Sequence, residues 1–481
     1  MNPGAMLLLI GAVLLTSPTT LRSEDRDEAR PLAPRERYLL LDNRVVDGQH
    51  NAHLAVGTVT KSPANPLFAE DRPWEVRFDN LYANILYDEA EQIFKCWYSP
   101  FIRDVATKPP MAEWDDVSYA GELRKLKGDS ARRMGICYAT SRDGIHWLKP
   151  NLGLVEFDGS TANNLVFGDP HGAGIFKDLI DPDARRRYKM ITGEQPHGVL
   201  SRSYSADGMH WSELHPIAKV RGDTHNNAFW DPIGKRYVAI SRENVDGNRT
   251  VVRLESEDFI HWSEAREILR GPKTAQTYAM PVTFYHSVFI GLIAVFHTQE
   301  DRVSTELAWS PDTVNWHRID QGTPLIPLAD QVGEYDWGCA YAAASPVIMP
   351  DGEIRIYYGA SNGKHTSWRD GYLALATLRP DTWAGYEPTD SSGPAVIKTT
   401  RLAYPGGRLK ITADVGGNAI SVKVLADDDR ILGEGKALST GGGDIPIEWS
   451  QGFDLDQNRG QTIRIEFYLQ SGRLYSFSFE K

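Results

Sequence analysis

The chain has 481 residues, 41 % of them hydrophobic and 24 % charged, which is ordinary for a globular protein long enough for more than one domain. Its net charge of −12 comes with no basic stripe, which argues against nucleic acid and anionic membrane as partners. The 13 Trp and 20 Tyr suit all-β packing and also stacking against sugar rings.

In chain order, the first feature is "AMLLLIGAVLL", Ala5 to Leu15, an apolar run too short for the ~20 residues that span a bilayer. Small residues and a proline follow from Thr16 to Thr20. Together they predict a signal peptide over residues 1–22, although no Lys or Arg precedes the run. The mature protein is then secreted or periplasmic, without membrane attachment after cleavage. Residues 23–37 are polar and read as a solvated lead-in. Cys96, Cys137 and Cys339 each sit in an apolar strand-like run, and their odd number suits buried hydrophobes better than disulfides.

From residue 38 onward a segment recurs. "YATSRDGIHW" ends at Trp147, and echoes of it end at Trp211, Trp262, Trp316 and Trp383. In each, a β-rich run meets Asp-Gly or a near relative and then Trp, the grammar of a tight hairpin turn. A second element precedes each turn: a strand, a polar hairpin and another strand, as in "NILYDEAEQIFKCWYS" and "NAFWDPIGKRYVAIS". Intervals of 51 to 67 positions suit four-stranded sheets joined by uneven loops. Such sheets bury both faces by packing radially, so residues 38–390 are predicted to form a five-bladed β-propeller. The stretch His53 to Thr60 is expected to supply the last blade's missing strand. Residues 391–481 change texture to short alternating strands between Gly-rich turns, and read as a small β-sandwich.

A five-fold repeat with acids before its inner strands, followed by a β-sandwich, resembles the five-bladed β-propeller glycoside hydrolases. These are the invertase and levansucrase enzymes of families 32 and 68 and the arabinanase and xylosidase enzymes of family 43. The sandwich makes the invertase-type arrangement the nearer one, although its "NDPNG" and "ECP" signatures are absent. The turns also resemble the Asp-box of sialidases with the Gly one place earlier, but no arginine triad is evident in the sequence. The resemblance implies an enzyme that cleaves oligo- or polysaccharides, furanosides such as fructosides or arabinosides foremost. It calls for no organic cofactor, and some relatives hold a structural calcium ion on the axis. The alternative is a non-catalytic propeller that binds glycans or a protein partner, its axis closed by side chains.

Glycosidase chemistry needs one carboxyl to protonate the leaving oxygen and a second to attack the sugar or activate water. Asp79, Asp178 and Asp223 each sit at the mouth of an inner strand in successive blades, are expected to line one axial pocket, and are the catalytic candidates. By resemblance Asp79 would be the nucleophile or base, Asp178 the transition-state stabiliser and Asp223 the acid, with Glu194 or Glu243 in reserve. Asp336 is a further acid ahead of the fifth inner strand. His225, Asn226, Arg242, Tyr278, Glu306 and His365 are expected among the groups that contact sugar hydroxyls. Asp143, Asp207, Asp258 and Asp312 belong to the repeated turns and read as structural. No His, Cys or carboxylate spacing matches a metal site, and no phosphate loop or dinucleotide fingerprint occurs.

Overall fold

The computed structural model describes residues 30–104, 132–194 and 199–480, so the expected signal peptide lies outside the described residues. Regular structure is almost entirely strand; among the described residues the only helical segments are the 3-10 turns Ala184–Arg186 and Leu455–Asn458.

Five antiparallel units follow one another. The first runs from its inner to its outer edge as Asn84–Asp88, Ile93–Tyr98, Arg132–Ser141 and Trp147–Leu148. The second is His171–Lys177, Tyr188–Glu194, Val199–Ser205 and His215–Ala218, and the third is Asn227–Asp231, Arg236–Val245, Asn248–Ser256 and Arg266–Arg270. In the fourth, Ala275–Ala279 and Val282–Tyr285 share the partner Val288–His297, followed by Arg302–Ser310 and His317–Arg318. In the fifth, Cys339–Ala342 and Val347–Ile348 pair with Ile354–Ser361, which pairs with Gly371–Leu378. A single parallel bridge, Val303 to Cys339, links the last two units into one sheet.

The repeated turn explains how these units lock together. Asp143 Oδ1 accepts the N–H groups of Ile145 and His146, both at 2.8 Å, and the Ser141 hydroxyl at 2.9 Å. Asp207, Asp258 and Asp312 repeat this geometry. Each turn docks on the unit before it. Trp97 Nε1 of unit one donates to Gly208 O (2.6 Å), and Tyr204 of unit two donates to Phe259 O (3.3 Å). Arg253 of unit three reaches Thr313 Oγ1 (2.9 Å), and Tyr285 of unit four reaches Asp381 (2.8 Å). Tyr357 of unit five donates to Gly144 O in the turn of unit one (3.0 Å), which closes the ring.

Inner strands are stitched in the same order. Asn84 bonds both Ala173 O and Ile175 N, Asn226 N donates to Gly172 O, and Asn227 bridges Val282 N and Ala344 O. Ala344 N in turn donates to Ala83 O at 2.9 Å. These buried amides replace ladder hydrogen bonds where five strand edges meet, and an unmet polar group there would cost about 1–3 kcal/mol. The outcome is a β-propeller.

Two expectations about the chain ends need correction. The outer strand of unit five is supplied by Thr60–Lys61 and Phe68–Ala69, so of the expected stretch His53 to Thr60 only Thr60 pairs there. Ala52–Val56 instead pairs with Ala384–Pro388, where it puts Ala52 in the sandwich core and Val56 in the propeller core. The strands between Tyr38 and Val56, expected in the propeller, all join the sandwich sheets. The run "YLLL" shows why. Tyr38 and Leu40 face the sandwich core while Leu39 and Leu41 pack among propeller residues, so alternate side chains are buried on both sides. Opposite this segment, Thr462–Leu469 alternates cleanly, with Ile463, Ile465, Phe467 and Leu469 inward.

Candidate functional site

The first inner strand is preceded by a strained loop. Asp79, Leu81 and Tyr82 have φ values of 55°, 63° and 46°, left-handed conformations that disfavour residues other than glycine. Short bonds from Leu81 N to Phe78 O (2.9 Å) and from Tyr82 N to Asn80 O (2.7 Å) hold the loop in place. The loop presents Asp79 to two buried guanidiniums, Arg77 at 2.8 Å and Arg369 at 2.6 Å. Arg369 also donates to Asn80 Oδ1 (2.9 Å), whose amide nitrogen reaches the Tyr82 hydroxyl at 2.8 Å and that of Tyr278 at 3.3 Å.

Units two and three supply the second carboxylate. His171 opens an inner strand and is followed by Gly172, where a Cβ would fall 1.6 Å from the Thr224 carbonyl oxygen. Only glycine permits that approach, and it brings His171 Nε2 to 2.9 Å from Asp223 Oδ1. The contact lies off the line of a well-formed hydrogen bond. Arg242 holds the other oxygen of Asp223 at 2.7 Å and lies 4.3 Å from the centre of the Tyr278 ring. Burial opposes ionisation of Asp223, but His171, Arg242 and Arg221 outweigh it and hold the carboxyl well below the usual range.

Asp79 and Asp223 approach the same pair of tyrosines: Asn80, next to Asp79, donates to the Tyr82 hydroxyl, and His171 and Arg242, which hold Asp223, lie against Tyr82 and Tyr278. Burial first, then Tyr278 and the charges of Asp223 and Asp79, push the Tyr82 phenol far up. His225 and His365 complete the floor. His225 contacts Asn84 and the Tyr82 ring, and burial pushes it down to about 4. His365 bonds the Tyr341 hydroxyl at 2.9 Å and packs edge-on against Tyr278; burial and then Arg369 push it well down, so it is neutral. The start of the inner strands therefore gathers two ion-paired carboxylates, aromatic rings and guanidiniums, with buried neutral imidazoles among them.

Several expected residues lie elsewhere. Asp178 stands at the far end of the inner strand that His171 opens, about 20 Å away at ~3.3 Å per residue. There Lys189, fully buried, contacts both Asp178 and Asp181, and Tyr237 donates to Asp178 at 2.7 Å. It closes a buried ion cluster instead of contacting a ligand at the axis. Glu306 is buried against Arg318 of the same unit's outer strand, and Asp336 pairs with Lys61 (2.6 Å) in the closing strand. Neither reaches the axis, because the partner that makes burial tolerable is on the outer side of the sheet. Asn226 spends its amide nitrogen on carbonyls of His171, Gly172, Gly222 and Thr224 and its oxygen on Ser241, so it is a structural stitch. Glu243 accepts Arg221 N at 3.0 Å beside the Asp223 loop. The Glu194 backbone pairs with Val199; its side chain lies outside the described residues.

Arg77, Tyr82, His171, Arg249 and Arg369 join the site without having been expected. A basic or aromatic residue in a hairpin carries no local signal of an axial position, although the Asp79 loop could have drawn attention to its neighbours Arg77 and Tyr82. Among the described residues no three His, Cys, Asp or Glu side chains converge as metal ligands. A separate groove of about 460 Å³, lined by Arg379, Asp414 and Tyr475 among others, contains none of the axial residues.

No family model matches the sequence, and no curated protein matches it. Solved structures do resemble it. A β-1,2-mannobiose phosphorylase from Listeria innocua is 14 % identical, with a TM-score of 0.48 over 67 % of this chain and 96 % of the other. A family 43 arabinoxylan arabinofuranohydrolase from Bacillus subtilis is 10 % identical, with a TM-score of 0.38 over 87 % and 97 %. An α-L-arabinofuranosidase from Podospora anserina is 11 % identical, with a TM-score of 0.43 over 68 % and 98 %. In fold, the chain resembles the β-propeller glycoside hydrolases.

Proposed function

We propose that the protein is an exported, glycan-active enzyme, a glycosidase whose chemistry sits at the propeller axis. The observation that carries this reading is the contact network that joins Asp79 to Asp223 across units: Arg369 holds Asp79 and Asn80, Asn80 reaches the hydroxyls of Tyr82 and Tyr278, and Arg242, which holds Asp223, lies over the Tyr278 ring. Aromatic faces beside carboxylates suit a sugar ring, whose C–H faces stack while its hydroxyls bond to the acids. Asp79, held by Arg77 and Arg369, is the nucleophile or base. Asp223 cannot serve as the acid expected from the sequence, since its cationic neighbours leave it without a proton at neutral pH. His171, in contact with Asp223, is the proton carrier, with Asp223 orienting the ring. Oligo- and polysaccharides are the substrate class, and furanosides such as fructosides and arabinosides are the first to screen. A propeller that only binds glycans or a protein is the competing reading.

The test is turnover of an oligosaccharide panel by wild type, Asp79→Asn and Asp223→Asn, with Asp143→Asn in an outer turn as control. Asp79→Asn leaves two buried guanidiniums facing a neutral amide, at a stability cost of about 3 kcal/mol. Rates are therefore compared per folded molecule, below the unfolding transition. Loss of roughly 10²-fold or more in both axial variants, with the control unchanged, supports the reading. Binding without turnover by wild type, or wild-type rates in both axial variants, rejects it.

A further inference from the structure

We propose that the axial site takes a glycan carrying an anionic group, a carboxylate or a sulfate, and that Arg249 is its principal anchor with Arg242 beside it. The inference rests on the glycan reading above and names the substrate class within it. Three guanidiniums, from Arg242, Arg249 and Arg369, surround the Tyr278 and His365 pair. Their partners differ. Arg369 is matched by Asp79 and Arg242 by Asp223, whereas Arg249 makes no ion pair among the described residues. Its Nη1 donates to a neutral amide, Gln276 Oε1, at 2.7 Å, and its Cζ lies 5.2 Å from the centre of the Tyr278 ring and 5.0 Å from that of Phe296.

That setting is well suited to an anion. Rings beside a guanidinium compete for none of its N–H groups, and those that Arg249 does not spend on Gln276 can meet the oxygens of a carboxylate or sulfate. Arg242 supplies an independent sign. Its side chain is only 6 % exposed, and its Nη1 is buried without a hydrogen bond although Nη2 holds Asp223. A buried charged donor left unmet is costly, and an arriving acceptor between Arg242 and Arg249 would satisfy it. A neutral sugar would leave both donors with weaker acceptors. Asp301 makes no ion pair with Arg249 among the described residues; its Oδ2 accepts the N–H and hydroxyl of Thr366, and its buried Oδ1 has no hydrogen-bond partner there.

The experiment uses the mature protein and pairs of oligosaccharides that differ only in charge. One arm sets carboxylate-bearing glycans against their carboxyl-reduced counterparts; the other sets sulfated glycans against desulfated ones. Calorimetric affinities are measured for wild type, Arg249→Gln and Arg249→Lys, after thermal unfolding shows each to be folded. Arg249 is only half-buried and unpaired, so both variants are expected to fold. The anionic member of one arm should bind at least tenfold tighter than its neutral partner, and the arm in which this occurs identifies the anion. Arg249→Gln should remove most of that preference and Arg249→Lys only part of it. Equal affinity within both arms, full preference retained in Arg249→Gln, or no binding of any anionic glycan at millimolar concentration overturns the proposal. Anionic binding without turnover would sustain it while the glycosidase reading falls. Asp79-dependent cleavage of neutral glycans with no charge preference would do the reverse.

Discussion

Glu70 offers a prediction that needs no substrate. Its Oε1 accepts the backbone N–H groups of Phe78 and Gly371, both at 2.9 Å, so it ties together the two loops that present Asp79 and Arg369. No cation pairs with it among the described residues, and burial, despite those hydrogen bonds, raises its carboxyl from 4.5 to about 7. The folded form thus binds its proton more tightly than the unfolded chain does. Stability from this group is complete below pH 4.5 and is lost as pH rises through 7. At about 1.4 kcal/mol per pH unit the loss comes to about 3 kcal/mol, and partial solvent access trims it to roughly 2. Glu70→Gln keeps the accepting oxygen and removes the ionisation. Urea unfolding midpoints of wild type and variant at pH 5.0 and 8.5 give the readout as a difference of differences, which cancels any fixed cost of the amide. The variant should gain roughly 2 kcal/mol on wild type between the two pH values. A gap that is the same at both, or that moves against the variant at pH 8.5, would refute the reasoning.

Lys189→Met should cost about 3–5 kcal/mol in urea unfolding, because it leaves the buried Asp178 carboxylate without its cation and Asp181 with Arg186 alone. Adding Asp178→Asn and Asp181→Asn should recover much of this, and activity per folded molecule should be unchanged throughout. His225, pushed by burial to about 4, makes stability fall as pH drops from 6.5 towards 4, by up to about 3 kcal/mol. His225→Asn should flatten that acid limb, as followed by thermal unfolding between pH 4.5 and 7.

What the sequence made legible was what local chemistry writes. The Asp turns were readable because a Ser, an Asp and two following N–H groups close on themselves, and four copies do so with nearly the same bond lengths. Asp79, Asp223, His225, Arg242, Tyr278 and His365 were readable as polar residues near the ends of apolar strands. Asp178 was misread for a related reason: "GIFKDLIDP" marks a strand end, and an acid at the end of an inner strand looks much like one at its start. Asp336 and Glu306 misled because a buried carboxylate suggests function until its cation is known, and Lys61 comes from 275 positions away. Arg249 and Arg369 left no trace, since hairpins reach the axis only after the ring closes. The same holds for the N-terminal strands, whose apolar alternation fits either sheet until Leu39 and Leu40 are seen to face different cores.

The axis gathers groups that each oppose folding. It holds left-handed backbone at Asp79, Leu81 and Tyr82, guanidiniums nearly sealed from water, and imidazoles that burial strips of charge. Replacing such ion pairs by apolar packing is often neutral or stabilising, so stability alone gives no reason to keep them. They persist because the ring around them is over-determined. Each outer turn is clamped by the preceding unit, each inner strand by a buried amide, and the last unit by a strand drawn from before the first. Strain that such a frame sustains falls where the inner strands begin, which is also where acids from separate units can face one ligand. The frame and the site are thus two parts of one arrangement: closure supplies the stability that the charged mouth consumes, and loosening a turn such as that of Asp143 disturbs the axis only through the ring.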